Sequence, residues 1–188
     1  MTKETLRKAY IEKRKQLPPG QLQRISEKIT FTLLKNIQLE EKTISLFLPI
    51  ERQHEINTYM IWEKAVSFNA KVAVPKTNFS TLQMEHILFE TKEQLELSPW
   101  GIPEPEYGTI IAPDQFDLVF VPLLAVDTQG HRVGYGKGFY DRFLQQCRPD
   151  CRFIGLHLFD TIEEKIEDVL STDIALHSCI TPEQMIRF

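Results

Sequence analysis

The chain has 188 residues, a formal net charge of −4 at neutral pH and three cysteines. That length suffices for one full hydrophobic core but is short for two, and the acidic balance excludes a protein that coats nucleic acid or an anionic membrane, both of which need a basic surplus. Cys147, Cys151 and Cys179 form no CxxC pair and complete no zinc-ligand spacing with His54, His86, His131, His157 or His177, so they read as ordinary reduced thiols.

Residues Met1 to Lys15 are thick with charge and hold no apolar run of the secretory type. The longest apolar stretch, Phe116 to Val126, is interrupted by Asp117 and falls well short of the roughly 20 residues that span a bilayer. A monomeric cytoplasmic chain with neither membrane nor nucleic-acid partners is the expectation.

In chain order, the spacing of Leu6, Tyr10 and Leu17 predicts a helix over Lys3 to Leu17, stopped by Pro18-Pro19. A second helix follows on Leu22, Ile25, Ile29 and Leu33. Thr43 to Leu48, β-branched and aromatic and closed by Pro49, reads as a buried strand. Ile56 to Asn69 reads as a helix and Lys71 to Pro75 as the next strand. Further strands are predicted at Met84 to Phe89, Asp117 to Pro122, Arg152 to Leu158 and Ile174 to Ile180, with a helix at Gly138 to Cys147. Solid apolar strands alternating with helices indicate a single α/β domain over residues 1–188: three layers, a mostly parallel sheet flanked by helices. Ligands of such sheets gather beyond the carboxyl ends of the strands.

The most informative segment is DTQGHRVGYGKGFYDR, Asp127 to Arg142. Gly134, Gly136 and Gly138 alternate, so the backbone can take conformations closed to other residues and approach a ligand closely. Successive N–H groups before a helix form an anion cradle, and Arg132, Lys137 and Arg142 are placed to supply the charge. The spacing is neither a Walker A loop, since Gly138 follows Lys137 where Ser or Thr belongs, nor GxGxxG. A lone glycine here would be a helix-capping turn; three enclosed by Arg and Lys favour phosphate.

At about 100° per residue, Lys3, Arg7 and Arg14 fall within about 40° of each other on the first helix, a cationic edge that serves either as a solvated rim or as a second set of charges for a polyphosphate. Glu55 precedes a helix whose cap is Asn57 or Thr58, and it is either a favourable charge near that terminus or a strand-end carboxylate for an N–H-rich ligand. Trp100, in SPWGIPEP, is either packed or the wall for a flat heterocycle. Asp141 and Asp173 are acceptable oxygen ligands for magnesium.

VPLLAVDTQGHRVGYGKGFYDRFL resembles the signature of the 5-formyltetrahydrofolate cyclo-ligases, and KETLRK, SLFLPIERQHEINT, WGIPEP and STDIALHSCIT resemble further pieces of that family in the same order. The resemblance implies ATP-dependent cyclisation of 5-formyltetrahydrofolate to 5,10-methenyltetrahydrofolate, with Mg²⁺. It implies that Lys3, Glu4, Thr5, Leu6 and Arg7, together with Arg132, Val133, Gly134, Tyr135, Gly136, Lys137, Gly138, Phe139 and Tyr140, line the ATP site, with Arg14 helping to hold the ATP tail. Ile50, Glu55 and Tyr135 to Phe139 are implied to contact the folate, with Trp100 beside them. Asp141 and Asp173 are implied to hold magnesium, and Lys137 and Arg132 to act on the transferred phosphoryl group. Two other readings stand beside it: a sugar-phosphate isomerase or acyl-transfer relative, which needs no ATP, and a binding module that holds nucleotide or folate without turnover.

Overall fold

The computed structural model describes residues 1–188. Helix α1, Lys3–Lys15, starts where the Thr2 side chain accepts from the Thr5 amide, carries Glu4 in its first turn and ends on Lys13, Arg14 and Lys15, so both ends complement the helix dipole. Its apolar edge, Leu6 and Tyr10, is buried. Helix α2 is Gln21–Asn36 and α3 is Tyr59–Ser67. Between and after them run β1 (Thr43–Ser45), β2 (Lys71–Asn78), β3 (Gln83–Leu88), β4 (Leu95–Leu97), β5 (Pro103–Pro105) and β6 (Ile110–Ile111). There follow β7 (Leu118–Pro122), β8 (Ala125–Val126), β9 (Arg132–Val133), α4 (Phe139–Leu144), β10 (Arg152–Leu156), β11 (Ser178–Ile180) and β12 (Met185–Arg187).

One eight-stranded sheet runs in the order β12-β11-β10-β7-β1-β2-β3-β6. Its centre, β11 to β2, is parallel, as the solid apolar runs predict, and both edges are antiparallel: β12 on β11, and β3 then β6 beyond β2. The strand Leu118–Pro122 has both faces covered. Leu118 and Phe120 pack with Ile29, Leu33, Ile61 and Ala65 of α2 and α3, while Val119 and Val121 pack with Phe143 and Leu144 of α4. Each fully buried side chain of this size contributes roughly 1.5–3 kcal/mol. Helix α1 lies over the β8–β9 hairpin, where Leu6 and Tyr10 meet Ala125 and Val133. No helix is long and apolar enough to cross a membrane.

Several elements are shorter than their sequence patterns. The first ends at Lys15 rather than Leu17, α3 begins at Tyr59, and α4 covers only Phe139–Leu144. The run Thr43 to Leu48 pairs as a strand only to Ser45; Leu46 still donates to Ala73 O, and Phe47 and Leu48 then turn into a cavity wall. The predicted strand Ile174 to Ile180 is reduced to Ser178–Ile180 because both polar groups of Ile174 are engaged elsewhere: its amide donates to Asp141 and its carbonyl accepts from Arg132.

Two buried histidines make stability depend on pH. His86 stacks on Phe143 at 4.0 Å with Nε2 2.8 Å from Ser45 Oγ, and His157 has Nε2 3.0 Å from Leu124 O. Burial pushes their pKa values down to about 3 and about 4 from 6.5. Because the folded values are depressed, the unfolded chain binds more protons in acid, so this stability is present above pH 6.5 and is lost as pH falls towards 4, by about 1.4 kcal/mol per unit for each histidine. The urea midpoint should therefore fall steeply over that interval; a flat profile there would contradict the neutral, buried state of both rings.

Candidate active site

The β8–β9 hairpin delivers the chain to the turn Gly134 to Gly138, from which α4 departs. Two of the three alternating glycines adopt the left-handed backbone the spacing predicts, Gly136 at φ +84° and Gly138 at φ +69°. A Cβ at Gly136 would also lie 3.2 Å from Arg7 Nη2, and one at Gly138 would lie 2.9 Å from Arg142 Nη1. Gly134 differs, since a Cβ there would meet nothing within 4 Å and the position opens on the cavity. With only six residues, α4 brings little dipole to the turn, so side chains must provide the charge. Arg142 wraps the turn, donating to Lys137 O at 2.7 Å and Leu82 O at 2.9 Å, and Arg7 reaches in from α1 to donate to Gly134 O at 2.9 Å.

Around this turn lies a cavity of about 760 Å³ beyond the carboxyl ends of β1, β2 and β7, within the range that takes cofactor-sized ligands. One end is cationic. Lys3, Arg7, Arg132, Lys137 and Arg142 gather there, Arg52 lies apart beside Gly101, and the cavity as a whole has only three carboxylates, Glu55, Asp141 and Asp173. The other end is apolar and aromatic: Phe79 lies between Trp100, at 5.1 Å, and Phe139, which it meets edge-on at 5.3 Å, with Met84 and Ile102 nearby. Trp100 is half exposed, a ring at the mouth rather than in the core. Its neighbour Phe79 gave no signal in sequence, where it is a single aromatic in the polar hairpin tip of β2 and β3.

Two ion pairs hold the cationic end. Arg132 Nη2 donates to Asp141 Oδ1 at 2.7 Å while its Nη1 donates to Ile174 O, and Lys3 Nζ pairs with Asp173 Oδ2. Between the two ends sits Glu55, buried, accepting from Ile50 N at 2.9 Å and from the Tyr135 hydroxyl at 2.7 Å. Burial pushes the Glu55 carboxyl upward, opposed by those two donors and by the charge of Arg14. Tyr140 also lines the cavity, with its hydroxyl buried and without a partner, and burial pushes its pKa up.

The structure thus gathers Lys3, Arg7, Ile50, Glu55, Trp100, Arg132, Gly134 to Asp141 and Asp173 around one cavity. It does not bring five others there. Glu4 is exposed and paired with Lys8, and Thr5 turns to Thr2. Leu6 and Val133 are core residues, and Arg14 is buried behind the wall.

A model of the 5-formyltetrahydrofolate cyclo-ligase family matches residues 1–163. The chain belongs to that family. Among cyclo-ligases, it is 31% identical over 113 residues to the 5-formyltetrahydrofolate cyclo-ligase of Mus musculus, a match covering 56% of this chain and 55% of the mouse protein. It is 29% identical over 159 residues, 78% of each chain, to the probable 5-formyltetrahydrofolate cyclo-ligase of Schizosaccharomyces pombe. In three dimensions it is similar to the 5,10-methenyltetrahydrofolate synthetase of Aquifex aeolicus, with a TM-score of 0.83, 26% identity, and coverage of 100% of this chain and 93% of that one.

The cationic end of the cavity fits a polyphosphate: a narrow turn that admits close backbone approach, surrounded by guanidinium and ammonium groups. A preformed metal cage is absent, with no group of three His, Cys, Asp or Glu side chains able to hold an ion. The two carboxylates still suit magnesium arriving with phosphates and keeping several waters, since Asp141 Oδ2 and Asp173 Oδ1 take part in no hydrogen bond.

Proposed function

We infer that this chain catalyses the ATP-dependent closure of 5-formyltetrahydrofolate to 5,10-methenyltetrahydrofolate, with release of ADP and phosphate. The observation that carries the inference is that a cationic glycine turn and an aromatic, Glu55-bearing wall share one cavity, so a polyphosphate and an N–H-rich heterocycle can be held side by side. Bound ATP supplies the phosphoryl group that converts the N5-formyl oxygen into a leaving group; N10 then closes on the formyl carbon, loses its proton, and phosphate departs.

Little covalent chemistry falls to the protein, whose task is positioning and charge stabilisation. Lys137 and Arg132 neutralise charge on the transferred group, Lys137 from the turn and Arg132 from its fixed place beside Asp141. Lys3 and Arg7 hold the remaining phosphates, and Asp141 and Asp173 hold Mg²⁺. At the other end Glu55 accepts from the heterocycle while Trp100, Phe79 and Phe139 cover its faces. The unit is a single chain working in the cytoplasm without membrane or nucleic-acid partners.

The test is a mixture of purified protein, 5-formyltetrahydrofolate and Mg-ATP, followed by the near-ultraviolet absorbance of the methenyl product beside an ATP-free control. ATP-dependent growth of that band is the expected result. A flat trace from folded protein would return the site to the binding-module reading, and product formed equally without ATP would remove the role of the cationic end.

A further inference from the structure

A buried guanidinium lies directly behind the folate end of the cavity. Arg14, on α1, is 4% exposed. Its Nη1 donates to the Tyr135 hydroxyl at 3.0 Å and to Gln53 O at 3.5 Å, and its Nη2 donates to Leu123 O at 2.6 Å. The Tyr135 hydroxyl in turn donates to Glu55 Oε1, and the Ile50 amide donates to Oε2. One side chain thereby joins α1, the loop after β1, the segment after β7 and the glycine turn.

Stability alone gives no reason for this arrangement. Burying a charge costs several kcal/mol of desolvation, which good geometry only partly offsets, and an apolar residue facing the same way on α1 would pack without that cost. Arg14 Nε finds no acceptor at all, so the group is not even fully satisfied. What the arrangement does achieve is to place one positive charge behind a buried carboxylate in the cavity wall, with a tyrosine hydroxyl between them.

We propose that Arg14 is a positioning residue for the folate end of the reaction: acting through the Tyr135 hydroxyl, it fixes the Glu55 carboxylate in the cavity wall as an acceptor for the N–H groups of the heterocycle. The proposal rests on the folate reading above. Glu55 is faced by Arg14 from α1, by Tyr135 from the glycine turn and by Tyr140 from α4. Its burial favours the neutral acid, opposed by the Ile50 amide, by the Tyr135 hydroxyl that Arg14 holds, and by the charge of Arg14 itself. Removing that charge moves protonation of Glu55 to higher pH, so affinity for folate is lost earlier as pH falls.

The experiment is steady-state kinetics of the full chain, with 5-formyltetrahydrofolate and Mg-ATP varied separately from neutral into mildly acidic pH. Arg14→Gln is expected to raise the KM for folate about 10- to 100-fold while the KM for ATP stays within about threefold, as for a lost hydrogen bond to a charged group. The acid-side rise in the folate KM should also begin at higher pH than in the wild type. Arg14→Lys keeps the charge but not the planar fork, so it should restore the position of the acid limb and only part of the KM. An unmoved folate KM, an equal rise in both KM values, or an acid limb that stays in place in Arg14→Gln overturns the proposal. Should Arg14→Gln lose its folding transition, Tyr135→Phe, which removes the relaying hydroxyl and leaves α1 intact, decides: a folate-selective rise in KM supports the proposal, and wild-type values refute it. No ATP-dependent turnover in the wild-type protein would overturn the folate reading as well.

Discussion

Lys137→Ala should lower kcat by about 10²- to 10³-fold, the usual cost of removing one preorganised group from developing charge, and leave the affinity for 5-formyltetrahydrofolate within a few fold. The reason lies in how Lys137 differs from the other cations of the cavity. Lys3 and Arg132 are held in place by ion pairs with Asp173 and Asp141. Lys137 enters no ion pair and stands exposed on the turn between the left-handed Gly136 and Gly138, with its carbonyl tied down by Arg142. Its main chain is fixed while its ammonium is free to follow charge as the phosphoryl group transfers. Since the side chain is exposed and takes part in no hydrogen bond or ion pair, the melting temperature should hardly change. Turnover at saturating substrates and calorimetric titration with folate in the absence of nucleotide separate the two effects. If both fall together, the lysine holds substrate rather than the transition state.

The parts legible in sequence were those whose physics is local. The strand Leu118–Pro122 announces burial on both faces through an unbroken apolar run, and the left-handed turn announces itself through glycine. The antiparallel edges were not legible, because β6 and β12 are two and three residues long and owe their pairing to neighbours distant in sequence. The same limit applies within the site. At 100° per residue Arg14 falls on one stripe with Lys3 and Arg7, and the helical period carries no information about depth: Lys3 and Arg7 reach the cavity, whereas Arg14, two turns further along, runs under Leu123 and Gln53. Phe79 was invisible because one aromatic in a polar hairpin tip has no pattern; only the fold of β2 on β3 carries it to Trp100. Asp173 was readable as an oxygen ligand, but that it reaches the site appears only in three dimensions, where Lys3, 170 residues away in sequence, pairs with it.

Arg132 is where the sequence reading and the geometry pull in different directions, and a substitution there should have two effects at once. Sequence makes Arg132 a free cation beside the glycine turn. In the fold its side chain is 6% exposed, and its guanidinium bridges Asp141 Oδ1 and the Ile174 carbonyl, the contact that holds Ile174 out of the sheet so that β11 starts only at Ser178. Arg132→Ala removes both ties and leaves Asp141 with only the Ile174 amide as partner. Breaking a buried pair from one side costs about 3–5 kcal/mol; because Asp141 is a quarter exposed, roughly 2–3 kcal/mol is the expected loss here. In a chain of this length that lowers the melting temperature by about 4–12 °C, and turnover should fall with it because Asp141 and Asp173 no longer share a fixed edge of the cavity. Arg132→Lys restores the charge without the fork that spans two acceptors, so it should recover little of either loss. A variant that melts like the wild type and fails only in turnover would assign Arg132 entirely to the phosphoryl group; one that melts early and regains full turnover below its transition would assign it entirely to the fold.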